Sequence, residues 1–184
     1  MTDYDAIVYD LDGTLVRLPV DWAAVRETCA TVFRVRDIDV ADASLWEMLD
    51  IAAEHDLSRD VERRISESER EAARSATRLP LADDVPGDTP TGVCSLNAEA
   101  ACRIALELHG LDGHVDAIVG RDSVENPKPH PEPLLRTVDL LGVDPGATLF
   151  IGDSDTDAEA ARRAGVDFQR VEERLADRPD GADA

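Results

Sequence analysis

Residues 6–15 read Ala-Ile-Val-Tyr-Asp-Leu-Asp-Gly-Thr-Leu. A short apolar run stops at an aspartate and is followed by a glycine turn. That is the pattern of a buried strand with functional groups at its C-terminal end. The second half of the chain repeats the theme. Gly92-Val93-Cys94-Ser95, Val115 to Val119, Ala147 to Ile151 and Asp167 to Val171 read as strands. Between them Ala98 to His109, Pro131 to Leu141 and Asp155 to Ala164 read as helices, with Gly110, Gly142 and Gly165 just past their ends. Strict strand–helix alternation predicts an α/β fold, a Rossmann-like parallel sheet with helices on both faces.

Residues 20–78 have a different character. Trp22, Val25, Cys29 and Val32 recur at helical spacing, as do Leu45, Met48, Leu49 and Ala52 behind an N-cap at Asp42 or Ser44. A third, narrower stripe runs Val61, Ile65, Ser68, Ala72, Ala76 and Leu79. All three stripes predict plain helix packing, with the intervening Arg and Glu solvated. The stretch Leu81 to Thr91, rich in Pro, Gly and Asp, reads as a loop. Glu172 to Ala184 is polar and predicts a frayed tail. The expected organisation is a core made of 1–16 and 81–184, interrupted by a small helical insertion at 17–80, with the tail at 172–184.

The 184 residues, 43% hydrophobic and 32% charged, suit one core domain carrying a small insertion. No apolar run approaches ~18 residues, so no membrane-spanning helix is predicted, and the N-terminus does not read as a signal peptide. Forty acidic residues against nineteen basic ones give a net charge of −21, which argues against a nucleic-acid partner. Lys128 is the only lysine; every other basic residue is Arg. Acid excess with so little lysine points to a microbe, of haloarchaeal type, that keeps molar salt in its cytoplasm. Cys29, Cys94 and Cys102 lack a CxxC spacing and read as small buried hydrophobes in a reducing compartment.

Parallel α/β sheets gather their sites at the carboxyl ends of the strands. The first strand delivers Asp10 and Asp12, and the second Ser95 and Asn97. Lys128 lies in the loop after the third, and Asp153 and Asp157 follow the fourth. Carboxylates from two strands repel one another unless a cation joins them, and Asp oxygens suit Mg²⁺, with Asp10 and Asp153 as direct ligands. Lys128 is a compact positive charge for a second anion, and Ser95 can donate to the same anion. A cation, an ammonium and hydroxyl or amide donors describe a phosphoryl cradle.

At this point the sequence resembles the haloacid dehalogenase superfamily of phosphohydrolases, in its phosphoglycolate-phosphatase-like branch. The resemblance rests on Asp-Leu-Asp-Gly-Thr-Leu at 10–15 and an apolar strand ending in Ser95. It rests also on Lys128 within Asn-Pro-Lys-Pro-His-Pro, and on Gly-Asp-Ser-Asp-Thr-Asp at 152–157, all in the right order. It implies Asp10 as nucleophile and Asp12 as general acid, then base. Mg²⁺ would be held by Asp10, the Asp12 carbonyl and Asp153, with Asp157 supporting from behind. Ser95, Asn97 and Lys128 would bind the phosphoryl group.

Further expectations follow from the resemblance. The helical insertion becomes a cap that closes over a small phosphate ester. Arg17, just past the catalytic loop, could read a substrate carboxylate or second phosphate, or be a surface charge at a hinge. The family's full helix before the second core strand is not read here, which leaves the docking of the cap open. The expected function is a cytoplasmic, Mg²⁺-dependent phosphatase, monomeric or dimeric, that hydrolyses a small phosphorylated metabolite, phosphoglycolate-like or a sugar phosphate, through an aspartyl-phosphate intermediate. The alternatives are a sugar-phosphate mutase of the same superfamily and a catalytically weak protein that binds a phosphorylated ligand.

Overall fold

The computed structural model describes residues 4–85 and 87–178. In chain order these form β1 (Ala6–Tyr9), β2 (Val16–Arg17), α1 (Trp22–Arg34), α2 (Leu45–Glu54), α3 (Ser58–Ala73) and β3 (Thr77–Arg78). A 3-10 turn, Pro80–Asp84, leads to β4 (Thr91–Cys94), α4 (Glu99–Leu108), β5 (Ala117–Val119) and α5 (Glu132–Leu141). Then come β6 (Thr148–Gly152), α6 (Asp155–Ala164), β7 (Asp167–Arg170) and α7 (Val171–Ala176). Five strands pair in the order β5-β4-β1-β6-β7, all parallel. The sheet and its flanking helices are the α/β architecture that the alternation predicts.

Successive side chains of a strand point to opposite faces, and the core divides accordingly. Val8, Cys94 and Phe150 meet Leu134 and Val138 of α5 and Ala161 of α6. Tyr9, Val93, Leu149 and Ile151 meet Ala101, Ala105 and Leu106 of α4 on the other face. Alanines on α4 let that helix approach closely, while leucine and phenylalanine side chains supply most of the burial, at about 1.5–3 kcal/mol each. β1 lies at the centre of the sheet, so the residue that follows it emerges in the middle of the rim.

The helical segment has a core of its own, built from Val25, Cys29, Phe33, Met48, Ala52, Val61 and Ile65. Ser44, one of the two anticipated N-caps, starts α2 with a reciprocal capping box to Glu47. The segment is entered through β2 and left through β3, which pair antiparallel, with Val16 opposite Arg78 and Arg17 opposite Thr77. This two-stranded stem was not legible as strand: each member is two residues long, and the pairing closes only through the fold.

Several expectations are corrected. The third helix stops at Ala73 rather than running to Leu79, and Ala76 joins the core under the sheet. The supposed loop at 81–91 begins as a 3-10 turn whose Leu81 and Ala82 are fully buried. The tail expected to fray from 172 instead forms α7, whose Val171 and Leu175 pack on the core. Arg174 and Arg178 both reach Asp84, at 3.3 and 2.5 Å, and tie α7 to the 3-10 turn. Residues 179–184 of the expected tail lie outside the described residues. Among the described residues no α-helix stands between β3 and β4. That flank is filled by Leu81, Ala82 and Val85, by α7, and by Ala72 and Ala73 at the end of α3.

Candidate active site

The carboxyl ends of β1, β4 and β6 and the loop after β5 open into one cavity of about 620 Å³, roofed by the starts of α1 and α2. Asp10, Asp12, Ser95, Asn97, Lys128, Asp153 and Asp157 all line it. Lys128 is at its floor, 5% exposed. Its Nζ donates to Asp10 Oδ1 at 2.8 Å, to Asp157 Oδ1 at 2.5 Å and to the Cys94 carbonyl at 3.0 Å. An ammonium has three donors, and here each has an acceptor. The Phe150 ring lies 5.4 Å away and contributes its negative face.

The electrostatics follow from this burial. Desolvation favours neutral Lys128, but the Asp10 and Asp157 carboxylates outweigh it and hold the ammonium above its ordinary pKa. Burial pushes the Asp10 carboxyl well up; Lys128 pulls it back and Asp157 pushes it further. Burial also raises Asp12, opposed by the Leu18 N–H, which donates to Asp12 Oδ1 at 2.9 Å, and by the Arg17 charge. Asp153 is raised by burial and by its neighbour Asp157.

Two glycines make room for these carboxylates. Gly13 sits at φ +94°, a left-handed conformation, and an added Cβ would lie 2.0 Å from Asp153 Oδ2. At Gly152 a Cβ would fall 2.7 Å from Asp157 Oδ2. The turn after β1 is therefore packed directly against the Asp153 side chain. Oxygens of Asp10, Asp153 and Asp157 lie within 4.8 Å of one another. One ammonium faces three carboxylates, so the cluster carries excess negative charge in a partly dry site. A hard divalent cation with oxygen ligands fits that donor set. Asp157 is the most committed of the three: besides Lys128, it accepts from Ser154 N at 3.1 Å and Ser154 Oγ at 2.6 Å.

The remaining anticipated residues divide. Ser95 Oγ donates to Asn97 Oδ1 at 3.1 Å and accepts from Asn97 N at 3.2 Å, forming a closed turn at the rim. Asn97 turns its Nδ2 toward Glu69 at 3.4 Å. Arg17 is exposed and does not line the cavity, although its charge is felt by Asp12 and Asp153.

Sequence reasoning missed a second set. Glu69 of α3, assigned to a solvated face, is fully buried, accepts from Ala98 N at 2.9 Å and pairs with Arg121 at 2.8 Å. Arg121 also holds Glu62 at 2.8 Å and the Leu96 carbonyl at 2.5 Å. Trp22, read as part of a packing stripe, is 42% exposed and lines the cavity with Trp46 and Arg26. The one available signal was that both tryptophans stand in the first turn of a helix of the insertion.

The geometry has close parallels among known proteins. Residues 87–171 match the family model described as haloacid dehalogenase-like hydrolase. That match covers just under half of the chain, from the approach to β4 through β7. A phosphoglycolate phosphatase of Aquifex aeolicus is 41% identical over 74 residues, 40% of this chain and 35% of that one. The pyrophosphatase PpaX of Bacillus cereus is 37% identical over 75 residues, 41% of this chain and 35% of the relative. The matched stretch thus spans about a third of these curated relatives' own length. Among solved structures, a haloacid dehalogenase-superfamily hydrolase of Geobacter sulfurreducens superposes with a TM-score of 0.58 at 24% identity, covering 89% of this chain and 86% of that one. CbbY of Rhodobacter sphaeroides, in complex with phosphate, gives 0.65 at 19% identity, covering 91% and 85%. These likenesses establish the haloacid dehalogenase-like fold.

Proposed function

We propose that this chain is a Mg²⁺-dependent phosphatase that hydrolyses a small phosphate monoester through an aspartyl-phosphate. The observation that carries the reading is the buried Asp10–Lys128–Asp157 array beside Asp153, at one rim under a helical roof. Asp10, the Asp12 carbonyl and Asp153 would hold Mg²⁺, with Asp157 behind them. Bound there, the ion would neutralise charge on the phosphoryl oxygens and keep Asp10 ionised.

In the first half-reaction an Asp10 carboxylate oxygen attacks phosphorus. The bond from phosphorus to the leaving oxygen breaks, and the Asp12 carboxyl proton passes to that oxygen, releasing the alcohol. In the second, the Asp12 carboxylate takes a proton from water as the water oxygen attacks phosphorus. The Asp10–phosphorus bond breaks, freeing phosphate and regenerating both aspartates. Burial of Asp12, which raises its pKa, favours the protonated form that the first step needs. Lys128 steadies the attacking carboxylate and the transferring group, and Ser95 and Asn97 present the rim that meets the phosphoryl oxygens. The roof excludes folded proteins and fits a small-molecule partner. The acid-rich, lysine-poor composition supports work in a salt-loaded cytoplasm.

A panel of phosphomonoesters at high KCl tests the reading. Wild type should release phosphate with Mg²⁺ and stop on chelation, and Asp10→Asn should be inactive yet folded. Activity of Asp10→Asn within about tenfold of wild type would remove Asp10 as nucleophile. An isomerised product without phosphate release would make the protein a mutase.

A further inference from the structure

Besides the residues at the strand ends, the cavity is lined by Trp22 and Ala23 at the start of α1 and by Leu45 and Trp46 at the start of α2. Trp46 is 57% exposed, so neither indole is buried as core. An exposed tryptophan facing a concave site is an uncommon placement for so large an apolar group, and here there are two.

The charges around them matter as much. Three cationic side chains line the cavity, Arg26, Arg121 and Lys128, and each is engaged. Arg26 donates Nε to the Ala43 carbonyl at 2.9 Å and Nη2 to the carbonyls of Val40 and Ala41, and its Nη1 pairs with Glu27. It pins the connection between α1 and α2 rather than facing a ligand. Arg121 is spent on Glu62, Glu69 and the Leu96 carbonyl, and Lys128 on the floor. Among the described residues no lining cation is left over for a carboxylate or a second phosphate on the substrate, and Arg17 stands outside the lining.

We infer that the cavity selects phosphate monoesters whose leaving group carries a flat, uncharged aromatic or heteroaromatic ring, stacked on Trp46 and Trp22 while the phosphoryl group reaches Asp10. The inference rests on the phosphatase reading for its chemistry, but the stacking site is defined by residues that the reading does not use. The cavity, at about 620 Å³, lies within the ~300–1,000 Å³ of sites for drug-sized ligands and has room for a ring beyond the phosphate. A two-carbon carboxylate ester would leave the tryptophans without contact and its own carboxylate without a partner.

The test uses the full chain with Mg²⁺ at high KCl and compares benzyl phosphate with cyclohexylmethyl phosphate, which differ in a flat against a puckered ring, and with 2-phosphoglycolate. Benzyl phosphate should exceed both in kcat/KM by at least about tenfold. Trp46→Ala should cut the benzyl-to-cyclohexylmethyl ratio by about tenfold, and Trp46→Phe should restore most of it. Binding gives an independent readout. Trp22 and Trp46 are the chain's two tryptophans, so intrinsic fluorescence reports on this cavity. Benzyl phosphate should quench it saturably in Asp10→Asn, and 2-phosphoglycolate should not. Equal or better turnover of 2-phosphoglycolate, or a ratio untouched by Trp46→Ala, would overturn the aromatic selectivity while leaving a phosphatase. Saturable quenching by benzyl phosphate with no ester hydrolysed would keep the stacking site and overturn the phosphatase. Neither quenching nor turnover would overturn both.

Discussion

Lys128 shows how much one side chain can be asked to do. Its ammonium satisfies Asp10, Asp157 and the Cys94 carbonyl at once, with 2% of the side chain exposed. Those three acceptors surround a point, and a guanidinium is a wide planar fork that cannot place its donors around a point. The fold must therefore be read with lysine there, in a chain that otherwise uses arginine for every basic residue. Lys128→Arg should keep the net charge but lower kcat/KM at least about tenfold, roughly 1.4 kcal/mol of transition-state stabilisation. Steady-state kinetics at saturating Mg²⁺ check this, and wild-type activity in Lys128→Arg would refute the compact-cradle argument. The placement of Lys128 beside the carboxylate rim was legible from strand-end order. Its pairing with Asp157 was not, because 29 residues separate the two and only the sheet brings them together.

Among the elements, α3 decides how the helical segment meets the core. Its first half closes the separate cluster around Phe33, while Ala72 and Ala73 near its end pack beneath the sheet. Between those two regions Glu69 caps the start of α4 through Ala98 N and meets Arg121, while Glu62 meets the same guanidinium. Burial would lower the Arg121 pKa, but its hydrogen bonds to the Glu69 and Glu62 carboxylates hold it above its ordinary value. The pairing clamps the insertion to the loops that carry Leu96 and Arg121. Arg121→Ala would strand the Glu69 carboxylate in a fully buried site. It should cost about 3 kcal/mol in denaturant unfolding, in line with other buried pairs broken on one side. A loss under about 1 kcal/mol would show that the clamp contributes little. This element was half legible: apolar spacing located the helix, but a stripe of charges looks the same whether its partner is water or an arginine 52 residues away.

At the scale of the molecule the net charge of −21 dominates. Many ion pairs are local and exposed, such as Arg63 with Asp60 and Arg74 with Glu71, and pairs of that kind offset little of the repulsion. The Debye length falls from ~10 Å at 0.1 M salt to ~3 Å at 1 M, so added salt should relieve the compact state of its self-repulsion. Tm is expected to rise steeply between ~0.1 and ~2 M KCl, followed by circular dichroism. A flat profile would remove the inference of a salt-loaded cytoplasm and leave the chemistry of the rim untouched.

The sequence by itself determined the sheet and the carboxylate rim. Strand–helix alternation forces parallel pairing, parallel pairing puts every strand's end on one side, and the residues that follow those ends are fixed by chain order. Gly13 was visible as a turn residue, though not as the space into which Asp153 fits, and nothing marked Gly152, at the end of β6, as the close approach of Asp157. The tertiary structure alone decided the rest. The β2–β3 stem, the docking of α7 on Asp84, the Glu69–Arg121 clamp and the two tryptophans lining the cavity all depend on contacts between residues far apart in the chain. Helical periodicity says which residues share a face. It does not say whether that face meets core, partner helix or cavity, because that depends on where the other elements have come to lie.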